Sequence, residues 1–320
     1  MPTSPLHAPV LRWYAANARD LPWRRPEASP WGILVSEIML QQTPVNRVLP
    51  AYDSWLRRWP EPRALADDAP GEAVRQWGRL GYPRRALRLH AAATTIARSH
   101  DGDVPAAYDD LRALPGIGDY TAAAVASFAF RQRHAVLDTN VRRVFGRVVE
   151  GVEYPPTATT AGERRTAASL LPDEAETAAS WAVAVMEVGA LVCTARSPRC
   201  AACPLSRMCA WRIAGRPAYD GPARRRQTYE GTDRQCRGRL LRVLREAPGP
   251  VARPELDAAW SDSIQRERAL DSLVADGLVE PVTSDAFQLP ARSERAEPAN
   301  DHEGKQSHEG KRGHSSPYAS

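Results

Sequence analysis

Most of the cysteines in this 320-residue chain are concentrated in one short window. They are Cys193, Cys200, Cys203 and Cys209, with the spacing C-x6-C-x2-C-x5-C. Thiolates on short loops can converge on one soft inorganic centre, but these four cannot all form relaxed disulfides with one another. A tetrahedral zinc site is an alternative, although zinc sites usually show two paired C-x2-C knuckles rather than one. The spacing favours an iron-sulfur cluster over zinc, and zinc over two local disulfides.

Glu37 is a carboxylate in an apolar setting. It lies in the segment WGILVSEIML, residues 31–40, which is apolar around most of a helix circumference. Burial there should raise the pKa of its carboxyl, so that it could donate a proton to a leaving group near neutral pH. The alternative is a buried glutamate held by an arginine such as Arg24 or Arg25.

Asp138 has a different environment from Glu37. It follows an apolar segment and precedes a helical run from Val141 to Val149, which is where a helix N-cap belongs. We expect hydrogen bonds from the helix amides to lower the pKa of Asp138 and to keep it ionised. A purely structural N-cap is the alternative. One neutral and one charged carboxyl together are the combination that glycosidic bond cleavage requires.

A glycine-containing turn, LPGIG at residues 114–118, precedes an alanine-rich helix predicted from Tyr120 to Phe130. Gly116 and Gly118 would leave backbone amides exposed near a helix N-terminus, and glycine lets a phosphate backbone approach closely. The turn could grip DNA, although glycine turns between helices are often only connectors.

The elements that position these residues are predicted to be helices. From Val10 to about Trp211, apolar residues recur at three- and four-residue spacing, which indicates an all-α core. A further unit has helical patterns at about 233–246, 253–260 and 263–276, followed by two short extended segments, an order that resembles a winged helix. A small helical packing domain is the alternative. Beyond Pro290 the polar sequence predicts a disordered tail.

Composition limits the function classes. The net charge of +5 is compatible with a polyanionic partner, and the two lysines, Lys305 and Lys311, both lie in the polar tail. A lysine Schiff base in the foldable part of the chain is therefore excluded. With no secretory signal or membrane-spanning stretch recognised, we expect a cytoplasmic, nucleoid-associated protein without a membrane partner.

Several motifs together resemble those of a known family. They are SEIMLQQT from Ser36, Gly81-Tyr82, the 114–118 turn, VLDTNVRRV from Val136, and the cysteine window. In this order and spacing they resemble the helix-hairpin-helix DNA glycosylases of the endonuclease III superfamily, and within it the MutY-like adenine DNA glycosylases. The resemblance covers about residues 8–213. It implies a six-helix barrel with a helix-hairpin-helix, a [4Fe-4S] cluster and an active site in the cleft between two domains.

The expected domain division follows from this resemblance and from the composition of the C-terminal part. The expected parts are an iron-sulfur domain (1–29 and 136–213), a six-helix barrel (30–135), a linker (214–227), a winged-helix-like unit (228–290) and a disordered tail (291–320). The resemblance also implies a monomer that acts on double-stranded DNA containing adenine mispairs.

The resemblance assigns catalytic roles to four residues. Glu37 would protonate adenine N7, Asp138 would stabilise an oxocarbenium-like sugar, Tyr120 would line the pocket, and Asn140 would help to order the catalytic groups and a water. Strand-cutting relatives carry a lysine nucleophile where this chain has Tyr120. The resemblance therefore implies a monofunctional enzyme that removes adenine mispaired with 8-oxoguanine or guanine.

It assigns DNA-binding roles to a second set of residues. Gln42 and Tyr82 match family residues that wedge into the stack after base flipping. They could instead cap a helix and pack beneath it, respectively. Arg24 matches a pocket residue near the base, with a surface ion pair as the alternative. Thr43, Gly116 and Gly118 complete the DNA-binding set.

Two features depart from the family pattern. Many relatives end in a Nudix-like domain that reads 8-oxoguanine, but residues 220–290 are too few and too helical for one. Many also carry an amide or acid in the segment that here reads WAVA at 181–184. The alternative functions are an endonuclease III-like glycosylase for oxidised pyrimidines and a redox-responsive iron-sulfur DNA-binding regulator. We expect the fifth cysteine, Cys236, to be a buried apolar thiol.

Overall fold

The computed structural model describes residues 4–221 and 229–292. Over these residues the chain forms fifteen α-helices and three short strands, so the predicted all-α core is confirmed. The helices are α1 (His7–Asn17), α2 (Pro30–Leu40), α3 (Val45–Arg58), α4 (Pro62–Ala66), α5 (Pro70–Trp77), α6 (Arg84–Ser99), α7 (Tyr108–Ala113), α8 (Asp119–Phe130), α9 (Thr139–Phe145), α10 (Ala161–Ser169), α11 (Ala175–Leu191), α12 (Ala210–Ile213), α13 (Asp233–Glu246), α14 (Arg253–Ala258) and α15 (Ser263–Ala275). The strands are β1 (Val251–Ala252), β2 (Glu280–Thr283) and β3 (Ala286–Gln288). No helix in these ranges is long and apolar enough to cross a bilayer.

Two large apolar cores organise the helices. The first core unites residues of α2 to α8 and includes edge-to-face contacts of Trp55 with Trp59 and Trp77, at centroid distances of 4.5 and 5.6 Å. The second unites α1 with α9, α11 and α12, around residues such as Trp181 and Val188. A small cluster at the contact of α8 with α11 lies between them. A cleft between the cores can therefore be lined from both sides.

Helix α2 is buried on nearly every face because its sequence is apolar nearly all round. Ser29 caps its N-terminus by accepting a hydrogen bond from the Gly32 amide at 3.1 Å, and Pro30 occupies the first turn. The small side chains of alanine-rich α8 leave room for α2 to pack directly against it. Together, α2 and α8 form one wall of the cleft.

The glycine turn joins α7 to α8 as a helical hairpin. Gly116 has φ +78°, in the left-handed region that favours glycine, and a Cβ there would lie 2.7 Å from Arg88 Cβ. A Cβ on Gly118 would meet nothing within 4 Å, so this side of the turn faces open space. Helix α8 begins at Asp119, one residue before the predicted start.

The C-terminal elements α13, β1, α14, α15, β2 and β3 follow the order of a winged helix. The strands form an antiparallel sheet with the order β1-β3-β2, in which Phe287 pairs with both Val251 and Pro281. The three predicted helices are found, and only the two-residue β1 escaped prediction. Apolar residues of this unit, Cys236 among them, join the core of α2 to α8. The prediction that Cys236 is a buried thiol is confirmed.

The division of the chain into domains stays a prediction. The expected linker is described only as far as residue 221 and again from residue 229, and the expected disordered tail lies outside the described residues from residue 293 onward.

Candidate active site and cluster loop

A cavity of about 1210 Å³ lies in the cleft, large enough for a nucleotide. Its walls come from α2, α8, the start of α9 and α11, with the loops that flank α2. The catalytic candidates Glu37, Asp138, Tyr120 and Asn140 all line it. Of the six DNA-binding candidates, it is lined by Arg24, Gln42, Thr43, Gly116 and Gly118. Tyr82 lies on a separate loop, described below.

Glu37 is 5% exposed on α2, and its Oε2 accepts a hydrogen bond from the Tyr120 hydroxyl at 2.9 Å. Burial raises the pKa of Glu37 to about 7, and the charge of Asp138 acts in the same direction. The Tyr120 hydrogen bond and the charge of Arg24 oppose this rise. The predicted raised pKa is confirmed. The alternative of an arginine-held glutamate is wrong, because the hydrogen-bond partner is a tyrosine.

Asp138 is the N-cap of α9, as its position in the sequence predicts. Its Oδ1 accepts a hydrogen bond from the Val141 amide and its Oδ2 one from Asn140 Nδ2, each at 2.6 Å. Burial nevertheless raises the pKa of Asp138 above its ordinary value, and these hydrogen bonds and the charge of Arg143 offset only part of the rise. The prediction of a net lowered pKa is therefore wrong. The cavity wall removes more solvation than the helix amides replace.

Glu187 on α11 is a second buried glutamate beside the cavity, which the sequence analysis did not single out. It is 0% exposed and accepts hydrogen bonds from Arg19 Nε and Nη2, each at 2.7 Å. Arg24 Nη1 lies 2.9 Å from its Oε2. Burial acts to raise the pKa of Glu187, but the hydrogen bonds from Arg19 and the charges of both arginines lower it overall. The ion pair of Arg24 thus exists, but with a buried carboxylate rather than at the surface.

Gln42 and Tyr82 both have backbones in the left-handed region, with φ of +55° and +47°. Such conformations are strained for residues with side chains and persist only where the surroundings impose them. Tyr82 is 44% exposed as a residue, so it is not buried under the Gln42 helix, contrary to the packing alternative. Gln42 is exposed, and its side chain makes no hydrogen bond with the described part of the chain. The capping alternative therefore has no support.

Arg85 connects the loops that carry Gln42 and Tyr82, a role that the sequence did not predict. Its buried guanidinium donates hydrogen bonds to the carbonyls of Ile38, Met39 and Gln41 at 2.8, 3.0 and 2.6 Å. It also donates to the Gly81 carbonyl and to Thr43 Oγ1, each at 2.9 Å. One side chain thus holds the C-terminus of α2 and the turn before Tyr82 in a fixed relation. Two adjacent arginines in the first turn of a helix, Arg84 and Arg85, carry no sequence signal for this arrangement.

The four window cysteines are free of disulfides and line a shared cavity. Burial, with smaller effects from the other three thiols, raises the pKa of Cys203 to about 11. Within the described ranges, no group of His, Cys, Asp or Glu residues converges tightly enough to hold a single metal ion. Four thiols that line one cavity are the kind of donor set that an iron-sulfur cluster uses.

Two buried arginines of α9 and the π-helical turn after it (Gly146–Glu150) lie behind this cysteine cavity. Arg147 Nη1 lies 3.3 Å from Cys193 Sγ, which places a positive charge beside the thiols. Arg143 donates to the Cys193 carbonyl and to Asn140 Oδ1, at 2.7 and 2.8 Å. Gly189 on α11 lets that helix pack closely against Asn140 on α9, because a Cβ on Gly189 would lie 2.7 Å from Asn140 Cβ. The cysteine loop and the Asp138 site therefore share one hydrogen-bonded arginine.

Comparison with known proteins is consistent with both sites. A family model described as HhH-GPD superfamily base excision DNA repair protein matches residues 35–160. A second model, described as the iron-sulfur binding domain of endonuclease III, matches residues 193–209, the span of the four cysteines. This window is therefore a [4Fe-4S] cluster-binding motif, in agreement with the prediction from the cysteine spacing.

Relatives cover nearly the whole chain. The adenine DNA glycosylase of Mycobacterium tuberculosis (strain CDC 1551 / Oshkosh) is 56% identical over 282 residues, covering 88% of this chain and 92% of the relative. That of Mycolicibacterium smegmatis is 54% identical over 291 residues, covering 91% and 98%. The solved structure of a thermostable thymine-DNA glycosylase superposes with a TM-score of 0.59 at 27% identity, covering 64% of this chain and 94% of that one. The chain belongs to the adenine DNA glycosylase family, within the HhH-GPD superfamily of base excision DNA repair proteins.

Proposed function

We propose that this protein is a monofunctional glycosylase that removes adenine mispaired with 8-oxoguanine or guanine from double-stranded DNA. It would hydrolyse the N-glycosidic bond and leave the strand intact. The observation that carries the proposal is the pair of unlike carboxyl groups, Glu37 and Asp138, on the wall of one nucleotide-sized cavity.

Glu37 is the proposed general acid. A carboxyl whose pKa is about 7 is substantially protonated at neutral pH, so it can deliver a proton to N7 of an adenine in the cavity. Protonation makes the base a better leaving group as the sugar bond lengthens. The Tyr120 hydroxyl fixes one oxygen of Glu37, which orients the other toward a bound base.

Asp138 is the proposed stabiliser of the developing positive charge on the sugar. Its hydrogen bonds from Val141 and Asn140 and the nearby charge of Arg143 favour its ionised form, whereas Glu37 has only the Tyr120 hydroxyl. Asp138 is thus the better candidate for the ionised member of the pair. Asn140 holds the carboxylate in place, and a water then attacks the sugar carbon.

Adenine inside a stacked duplex cannot reach this cavity and must be flipped out. The exposed side chains of Gln42 and Tyr82, on strained loops tied together by Arg85, are suited to fill the vacated stack. Gly118 at the open side of the helical hairpin leaves room for a phosphate. We propose a monomer with this division of roles.

Strand cleavage through a lysine Schiff base is not available in this site. Tyr120 stands at the start of α8, beside Glu37, and both lysines of the chain lie beyond residue 300. Hydrolysis transfers no electrons, so we assign the cluster held by the four cysteines a structural part. Arg147 beside Cys193 suits the negative charge of a thiolate-bound cluster.

The experiment is base release from duplexes that contain adenine opposite 8-oxoguanine, adenine opposite guanine, or an oxidised pyrimidine. We expect adenine release from the first two, with strand breaks only after alkali treatment. Asp138→Asn should abolish release and leave DNA binding largely intact. Release of the pyrimidine, or strand breaks without alkali, would refute the proposal.

A further inference from the structure

The ring of Tyr82 is in contact with the guanidinium groups of two arginines, Arg85 and Arg234. The guanidinium of Arg234, in the first turn of α13, lies 5.0 Å from the centre of the Tyr82 ring and 5.8 Å from that of Tyr229. Arg85 is buried and committed to backbone carbonyls, whereas Arg234 is exposed. A residue of the C-terminal unit therefore lies at the loop that we propose as a wedge.

Among the described residues, the charge of Arg234 is not paired with a carboxylate, unlike the charges of Arg237 and Arg268. Arg237 pairs with Asp276, and Arg268 pairs with Asp233 at 2.7 Å. Within the described ranges Arg234 has no carboxylate partner, only the two aromatic rings. An exposed cation held on a ring face by a weak contact is free to bind an anion that comes near the ring.

The C-terminal unit is fixed firmly to the helices that carry Tyr82. Arg245 on α13 donates to the Val74 carbonyl at 2.9 Å, and Arg75 on α5 donates back to the Ala247 carbonyl at 2.8 Å. The Gly71 amide donates to the Pro290 carbonyl at 2.8 Å, where a Cβ on Gly71 would leave only 2.5 Å to that oxygen. The distance from α13 to the Tyr82 loop is therefore set by the fold.

We propose that Arg234 binds a phosphate of the DNA duplex beside the Tyr82 wedge, so that the C-terminal unit extends the DNA-binding surface. The inference rests on the proposed function, because it takes the Tyr82 loop as the point where the protein enters the duplex. As the ring enters between bases, the bases replace the guanidinium on its face, and the released Arg234 side chain lies within reach of the phosphates that flank the site. Charge complementarity identifies the partner, and a phosphate contact gives affinity without reading sequence.

The test compares Arg234→Gln with Arg239→Gln. Arg239 is also exposed on α13 and also lies over a ring, that of Trp260 at 5.6 Å, but it points about 140° away around the helix. Binding is measured at several salt concentrations to a duplex that carries a non-hydrolysable 2′-fluoro-adenosine opposite 8-oxoguanine. We expect Arg234→Gln to raise the Kd by about threefold to tenfold and to reduce the slope of log K against log salt by about 0.9. Arg239→Gln should change neither.

Two results would overturn the inference. Equal affinity and salt slope for the two variants would mean that Arg234 makes no phosphate contact. Tighter binding by Arg234→Gln would mean that the arginine only shields the ring in the free protein. Thermal unfolding of both variants verifies that each is folded. Because binding is measured without turnover, a wild-type protein that released no adenine would refute the proposed function while this comparison still stood.

Discussion

Two buried glutamates, Glu37 lining the cavity and Glu187 beside it, have opposite electrostatics. Glu37 on α2 and Glu187 on α11 each interrupt an apolar helix and are almost fully buried. The pKa of Glu37 is raised to about 7, whereas that of Glu187 is lowered. The difference is the partner: a tyrosine hydroxyl for Glu37, and Arg19 with Arg24 for Glu187. Burial acts to raise the pKa of both, and the partners decide which one becomes an acid and which a fixed charge.

The largest expected effect is a loss of activity when the acidic side chain of Glu37 is replaced. Glu37→Gln keeps an acceptor for Tyr120 but cannot protonate adenine, so we expect the single-turnover rate of adenine release to fall by about 10²–10⁴-fold. Duplex binding should change little. The matched control is Glu61→Gln, an exposed glutamate, which should retain the wild-type rate. A Glu37→Gln variant with near-normal rate would remove Glu37 from the mechanism.

The second effect is on stability when Glu187 is removed. Glu187→Ala leaves Arg19 and Arg24 without their shared carboxylate, and breaking a buried pair typically destabilises a protein by roughly 3–5 kcal/mol. Urea unfolding measures the difference. Glu176→Ala, in the exposed first turn of the same helix, is the control and should unfold nearly as the wild type does. Equal midpoints for the two variants would contradict a structural charge at Glu187.

The third effect is a gain in stability at alkaline pH, whereas removal of Glu187 is expected to reduce stability. Since the pKa of Glu37 rises from 4.5 when unfolded to about 7 when folded, its contribution to stability is present below about pH 4.5 and is lost as the pH rises through 7. Glu37→Gln has no such loss. We expect this variant to be more stable than the wild type above about pH 8, by on the order of 3 kcal/mol, and urea unfolding at several pH values measures it. A variant that is less stable at every pH would contradict the raised pKa.

The smallest effect is a shift in the pH profile. The Tyr120 hydrogen bond lowers the pKa of Glu37, so Tyr120→Phe should raise that pKa and move the alkaline limb of the rate profile to higher pH. The midpoint of the limb is the measured quantity, whatever the absolute rate. Tyr108→Phe, which alters a tyrosine stacked on His134, is the control and should leave the midpoint in place. A shift to lower pH would show that Tyr120 acts differently from this hydrogen bond.

Local patterns predicted much of this protein. The cysteine spacing indicated the cluster, apolar periodicity indicated the helices, and the apolar context of Glu37 indicated its raised pKa. Contacts across long stretches of chain were not predictable. Arg19 and Glu187 are 168 residues apart in sequence, and Arg85 reaches carbonyls more than 40 residues away. The net direction of the Asp138 pKa shift was not predicted for the same reason. Its hydrogen bonds come from neighbouring residues in the sequence, whereas its burial depends on residues far away in the sequence.

The central claim is that the Glu37 carboxyl is neutral near physiological pH beside a charged Asp138. Infrared difference spectroscopy across a pH titration tests it directly, because a protonated carboxylic acid and a carboxylate absorb separately. The account predicts a protonated-carboxyl band that disappears with a midpoint near pH 7 in the wild type, disappears at a lower pH in Asp138→Asn because the charge of Asp138 is gone, and is absent from Glu37→Gln. A spectrum in which Glu37→Gln removes no such band, or removes one that titrates near its ordinary pKa of 4.5, would contradict the account.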